Sequence, residues 1–203
     1  MKNKDYWKNF YKDAESKSLT KPSAFSDFVL QQLSLLEWDN ERTLIDIGCG
    51  NGKDLFYMRS KNINAYGVDM NLELDSEFIQ RNDALKLNEN HDAYYMRFFL
   101  HTLEEEKLDT LMTNIHECMG NDSHIFIETR SVKGVTDKER EETFFKSSIG
   151  EAHFRMLYSL NYLENKFKDK FTILFSDESD EFAPFKSEKP YVIRLVMKKN
   201  LDQ

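Results

Sequence analysis

"LIDIGCGNGKDLF", Leu44–Phe56, sets three glycines at alternate positions directly behind an apolar run broken by a single acid. A short apolar run that ends in glycines and passes into "KDLFYMRSK" reads as a buried strand, a tight turn and a helix. "NAYGVDM" follows as a second strand, so the stretch opens a strand-helix-strand unit. The pattern then repeats along the chain. "AYYMRFF" is a strand, and "TLEEEKLDTLMTNIHECMG" is a helix with Leu108, Leu111, Met112, Ile115 and Met119 on one face. Thr102 and Glu105 have the spacing of a capping box at its start. "HIFIET" is a strand, residues 151–168 form a helix, and "FTILFS" and "YVIRLVMKK" close the chain as two strands. Upstream, Phe25, Phe28, Val29, Leu33 and Leu36 recur at helical spacing behind Pro22, which suits a first helical turn. Residues 1–20 are expected to form a short helix carrying Tyr6, Trp7, Phe10 and Tyr11. The order is α/β throughout. It implies a doubly wound, mostly parallel sheet with an antiparallel hairpin at its C-terminal end.

The chain has 203 residues, of which 40% are hydrophobic and 32% charged, enough for one core and with no linker to divide it. A net charge of −8 weakens attraction to a phosphate backbone, which argues against nucleic acid as a partner. No apolar window is long enough to span a membrane, and "MKNKDYWKNFYKD" lacks the apolar stretch of a secretory signal, so a cytoplasmic protein is expected. Cys49 and Cys118 are the two cysteines, too few for a disulfide framework, and no metal site is expected.

Spacing sorts the nucleotide-binding readings of the glycine turn. A phosphate-binding P-loop would need glycine at Ile47 and a hydroxyl at Asp54. The dinucleotide fingerprint would need a small residue where Lys53 stands. What remains is Asp46, then Gly48, Cys49, Gly50, Asn51 and Gly52, an acid two residues before a GxGxG turn. This resembles motif I of the class I S-adenosylmethionine-dependent methyltransferases. Glycines let the backbone approach a ligand closely, and the Asp46 carboxylate suits a cationic ligand better than a pyrophosphate. Asp69 ends the next strand 19 residues after Gly50, the place of a ribose-hydroxyl acceptor, and is followed by Met70. The resemblance also implies that Asp83, with Ala84 behind it, contacts the adenine. It implies a Rossmann-like, seven-stranded fold for one methyltransferase domain over residues 1–203, with 1–40 as a helical cap and 41–203 as the core.

With S-adenosylmethionine as cofactor, the protein has to hold it, align the acceptor and deprotonate it where needed. "YYMRFFLHTL" replaces the NPPY-like motif of amino-methylating nucleic-acid enzymes. His101 precedes the capped helix, whose positive end favours a neutral imidazole, and is a candidate general base. Arg97, Arg130 and Arg155 lie at or near elements whose carboxyl edges form the cleft, where guanidinium forks suit phosphate or carboxylate. Glu128 is placed to pair one of them or to orient His101, and His153 joins the acceptor-binding set. His91, His116 and His124 read as surface or packing residues. A narrower resemblance, carried by "YWKNFYK", "KPSAF", "YMRFFLHTL", "IETRS" and "HFR", is to small methyltransferases of bacterial capsule and surface-glycan clusters, including those of the O-methyl phosphoramidate decoration. Met156 departs from it, standing where that pattern has a second arginine.

The resemblance implies O-methylation of a small or glycan-linked acceptor, anionic in view of the arginines, with a sugar hydroxyl deprotonated by His101 as the other reading. A nicotinamide-dependent oxidoreductase and a non-catalytic cofactor-binding partner protein are the rival classes. The resemblance also implies that Ser23 and Phe25 lie where the first helix approaches the methionine end of the cofactor. The aromatics of residues 1–20 either close over the cofactor or pack a helix on the sheet. A homodimer would form at the open sheet edge near the closing hairpin.

Overall fold

In the computed structural model, residues 21–70, 76–135, 144–147, 150–185 and 187–200 are described, with the backbone alone for 144–147 and 150–154. The helix expected within residues 1–20 lies outside them. In chain order come α1 (Ala24–Leu35), β1 (Thr43–Ile47), α2 (Lys53–Ser60), β2 (Asn64–Val68), β3 (Ile79–Gln80) and β4 (Ala93–Arg97). Then follow α3 (Glu105–Cys118), β5 (His124–Arg130), β6 (Phe144–Ser147), β7 (Gly150–Phe154), α4 (Leu160–Phe167), β8 (Phe171–Ser179) and β9 (Val192–Lys199). Seven strands form one sheet in the order β3-β2-β1-β4-β5-β9-β8, and β6 with β7 form a separate ribbon. The first five strands of that order run parallel, while β9 is antiparallel to both β5 and β8. The doubly wound sheet with its antiparallel closing hairpin is thus as the strand pattern implies. The helices α2 and α3 and their loops are the crossovers that parallel neighbours require.

Both faces of the sheet are buried, which explains the largely apolar runs in β1, β4 and β5. Leu44, Tyr95, Phe126 and Val196 face Phe25, Val29 and Leu33 of α1 and Leu55 and Met58 of α2. Ile45, Ile47, Tyr94, Met96, Ile125 and Ile127 face the other way, toward Leu108, Leu111 and Ile115 of α3 and Leu163 and Phe167 of α4. Asp46, Arg97, Glu128, Arg130 and Arg194 fall in register with the first set, so the charged strand ends share the α1/α2 side.

Three local expectations are corrected. Helix α1 takes Ser23 as its N-cap, the Ser23 hydroxyl accepting from the Ser26 N–H at 3.2 Å, so Pro22 lies before the helix. The capping box of α3 does not form. Thr102 ends a 3-10 turn at Leu100–Thr102 and donates its hydroxyl to the Phe99 carbonyl at 2.7 Å, and Glu104 is the N-cap. The helix expected over 151–168 is confined to Leu160–Phe167, capped by Ser159, while Gly150–Phe154 is extended as β7. "EAHF" alternates apolar and polar residues, and pairing with β6 takes up that period of two. Among the described residues no helix is long and apolar enough to cross a membrane.

Candidate active site

A cleft of about 840 Å³ opens at the carboxyl ends of β1, β2, β4 and β5, where the parallel half of an open α/β sheet binds ligands. The glycine turn forms its floor. Gly48 N–H donates to the Val68 carbonyl at 2.8 Å, and Gly52 N–H to the Cys49 carbonyl at 3.0 Å. Gly48 has φ +74°, and a Cβ there would come within 2.3 Å of the Phe99 ring, so position 48 requires glycine on both counts. Cys49 packs its sulfur against Gly67, where an added Cβ would lie 2.8 Å from it. Burial, with Asp46 and Asp69 adding to it, pushes the Cys49 thiol up and away from reactivity. Gly50 does not line the cleft but donates its N–H to Asp69 Oδ2 at 3.0 Å, which orients the carboxylate at the end of β2. Asp69, Met70, Asp83 and Ala84 line the same end of the cleft, with Asp83 Oδ1 accepting the Leu85 N–H at 3.0 Å.

Acids gather on the α1/α2 side of that end. Asp46 is 3% exposed, and burial followed by the charges of Asp54 and Asp69 raises its pKa well above the usual carboxylate range, with Arg97 acting the other way. Asp54, in the first turn of α2, is buried and receives three hydrogen bonds: Ser23 N–H at 2.7 Å, Ser23 hydroxyl at 2.8 Å and Tyr95 hydroxyl at 2.8 Å. This network ties the entry of α1 to the glycine turn and β4. Lys53 stands at the first position of α2, against the helix dipole, and burial with the nearby Arg97 lowers its pKa.

Arg97, Arg130 and Arg155 all line the cleft. Phe98 has φ +53°, an uncommon conformation for a bulky residue, and its ring lies 4.4 Å from the Arg97 guanidinium and 5.3 Å from that of Arg130. Burial and then the charge of Arg155 lower Arg130 to about 10. Glu128 is absent from the cleft wall and does not face an acceptor there; of its two expected roles, the structure shows the pairing with an arginine. Glu128 is 1% exposed and sits between Arg97, whose Nε donates to it at 2.9 Å, and Arg194, whose Nε donates at 2.9 Å and whose Nη2 forms an ion pair with it at 2.8 Å. The three face one another across β4, β5 and β9, because Arg97 pairs with Glu128 and Glu128 with Arg194 in the sheet register. A carboxylate so deep requires both partners, and its pKa is raised by burial against the pull of the two arginines.

His101 lies in the cleft wall, 2% exposed, with Nδ1 3.4 Å from the Thr129 hydroxyl. It sits within the 3-10 turn, well before α3 begins at Glu105, so the helix dipole gives no support to a neutral imidazole there. Met156 N–H donates to the His101 carbonyl at 2.8 Å. His153 lies on β7, among the residues whose side chains are not described. His91 and His124 are buried packing residues: His91 Nδ1 is 3.2 Å from Thr43 Oγ1, and His124 stacks on Phe126.

Several cleft residues stand outside the sequence reading. Lys53 at a helix N-terminus runs against the dipole rule, and that conflict is a signal legible in sequence. Asp54 and Tyr95 read as ordinary turn and strand residues. Phe182–Phe185, between β8 and β9, lines the cleft, and Arg194 binds the Phe182 carbonyl at 3.2 Å. Among the described residues no group of three or more histidines, cysteines or acids could hold a metal ion.

A methyltransferase-domain family matches residues 21–169. O-methyltransferase 12 of Dictyostelium discoideum is 24% identical over 145 residues, which cover 60% of this chain and 38% of that protein. The chain therefore spans well under half the length of that curated relative. A Methanosarcina mazei structure described as S-adenosylmethionine-dependent methyltransferases is similar at a TM-score of 0.69 and 15% identity, covering 84% of this chain and 98% of that one. The Burkholderia thailandensis 1,6-didemethyltoxoflavin-N1-methyltransferase, bound to 1,6-didemethyltoxoflavin and S-adenosylhomocysteine, reaches 0.68 at 14% identity, covering 91% and 82%. At these identities the structural likeness bears on the fold.

Proposed function

Since the chain belongs to the methyltransferase-domain family, with S-adenosylmethionine as its cofactor, we propose that it methylates an oxygen of an anionic, small or glycan-linked acceptor. The observation that carries the acceptor half is that three arginines line the same cleft as the acids suited to the cofactor. Asp46, Asp54, Asp69 and Asp83 line it together with Arg97, Arg130 and Arg155. The cofactor supplies a methyl group already activated on a positively charged sulfur. The residues present fit such a group: the glycine turn admits close approach, Asp69 is held for the ribose, and the buried acids suit a cation. In this reading Asp46, Gly48, Cys49, Asp69, Met70, Asp83 and Ala84 hold the cofactor, Gly50 acts through the Asp69 carboxylate it orients, and Asp54 and Ser23 close the amino-acid end.

Arg97 and Arg130 then orient the acceptor oxygen. An anionic oxygen carries no proton to remove, so positioning is the task left to the protein, and His101 shapes the wall. The name of the Dictyostelium relative supports oxygen as the acceptor atom, and the resemblance to capsule methyltransferases supports a place in surface-polysaccharide synthesis. Residues 41–203 would form the catalytic core and 1–40 its cap.

Calorimetry with S-adenosylhomocysteine tests the cofactor half. Wild type should bind at micromolar concentration, Asp69→Ala should lose at least about tenfold, and NAD should not bind. Methyl transfer to a panel of phosphorylated and neutral sugars tests the acceptor half. Transfer confined to phosphorylated compounds, weakened by Arg130→Gln and little changed by His101→Ala, supports the reading. Transfer to neutral sugars that is abolished by His101→Ala overturns it.

A further inference from the structure

The geometry points to an acceptor whose anionic group is joined to a flat aromatic ring, an aryl or nucleoside phosphate; this rests on the anionic-acceptor reading above. Arginines alone would serve any phosphate. The arginines of this cleft, however, share it with phenyl rings. Phe98 stands between the guanidiniums of Arg97 and Arg130, with centroid distances of 4.4 and 5.3 Å. Phe182 and Phe185 line the same cleft from the β8–β9 connection. Both are held in place: Arg194 lies 4.3 Å over the Phe182 ring and binds its carbonyl, and Phe185 exchanges two backbone hydrogen bonds with Glu188, each 2.9 Å.

Burial of Phe182 is not what fixes it, since its ring and that of Phe185 are both part-exposed at the cleft. Rings fixed by their neighbours yet left open to a cleft are ready to stack on a flat ligand. Of the uncharged polar side chains next to the arginines, Tyr95 donates its hydroxyl to Asp54 at 2.8 Å, Thr102 donates its own to the Phe99 carbonyl at 2.7 Å and His101 faces Thr129, and the others lie elsewhere. Ser23 belongs to the α1 entry, Asn51 to the glycine turn and Asn82 to the Asp83 loop. A bare sugar phosphate brought against these phenyl walls would lose the water bound to its hydroxyls without replacement partners. An aromatic phosphate would stack its ring and leave its anion to the arginines.

The test titrates the full chain, saturated with S-adenosylhomocysteine, with phenyl phosphate, uridine monophosphate, glucose 6-phosphate and inorganic phosphate. The aromatic compounds should bind roughly three- to tenfold more tightly than glucose 6-phosphate. Phe182→Leu and Phe185→Leu, each folded and still binding S-adenosylhomocysteine, should shrink that advantage, while Arg130→Gln weakens every phosphate alike and leaves the advantage in place. The ranking of phenyl phosphate against uridine monophosphate separates the aryl from the nucleoside source. Equal affinity for all four phosphates overturns the aromatic inference and leaves the anionic reading standing. Failure of all four to bind, with S-adenosylhomocysteine bound, overturns both.

Discussion

The Asp46 carboxylate is held where a carboxylate is least stable, 3% exposed and beside Asp54 and Asp69. Its raised folded pKa means that the folded chain keeps a proton which the unfolded chain releases from about pH 4 upward. Stability from this group is therefore intact in acid and falls as pH rises through the window up to the raised value. Asp46→Asn keeps the side chain's shape and removes the charge. In the absence of cofactor it should unfold at a higher temperature than wild type at pH 8, by about 2–4 °C for each kcal/mol relieved, and the gap should close toward pH 5. Scanning calorimetry at several pH values measures this; a variant less stable than wild type at pH 8 would show that Asp46 is compensated within the unliganded fold. S-adenosylhomocysteine binding should fall in the same variant, because a cost borne in the empty site is useful only if a cation later offsets it. Asp46 was legible in sequence through its place two residues before the glycines. Asp54 was not, since its burial depends on hydroxyls from residues 31 and 41 positions away in the chain.

At the level of elements, the C-terminal end of β4 concentrates the conflict between local preference and site. The chain leaves the strand with Phe98 at φ +53°, and Phe98 N–H donates to the Glu128 carbonyl at 2.7 Å. A bulky residue there costs on the order of 1–2 kcal/mol. Phe98→Gly and Phe98→Ala both remove the ring that Arg97 and Arg130 flank, but only glycine removes the strain. The glycine variant should therefore be more stable than the alanine variant by about 1 kcal/mol, the reverse of the order found inside regular elements. Chemical denaturation of the two variants decides it, and alanine at or above glycine would mean that the backbone relaxes once the ring is gone. Sequence carried the strand and the arginine but gave no sign of the left-handed turn, because no glycine or asparagine marks it. It likewise offered a helix over 151–168, where a segment of mixed period was settled by its pairing with β6. Arg194 was beyond reach for a similar reason: its partner Glu128 lies 66 residues earlier and is brought opposite only by antiparallel pairing of β9 with β5.

For the molecule as a whole, the strand order and the glycine turn were readable because each is encoded locally, by period and by spacing, whereas the acceptor end is assembled from β4, β5 and the β8–β9 connection. That assembly sets up two electrostatic fields of opposite sign. The chain carries a net charge of −8, while the end of the cleft that would meet the acceptor is lined by Arg97, Arg130 and Arg155. At about 0.01 M salt the screening length is roughly 30 Å, so an approaching anion feels the whole acidic surface. At about 0.1 M it is roughly 10 Å, which screens the distant acids more than the arginines at the mouth. Association of a fluorescent aryl phosphate with the S-adenosylhomocysteine complex should therefore be faster at 0.1 M than at 0.01 M, opposite to the usual behaviour of steered pairs. Dissociation should quicken over the same range as the arginine contacts weaken. Stopped-flow rates across that series test both statements. An association rate that falls steadily with salt would mean that the arginine field, and not the net charge, governs approach from a distance.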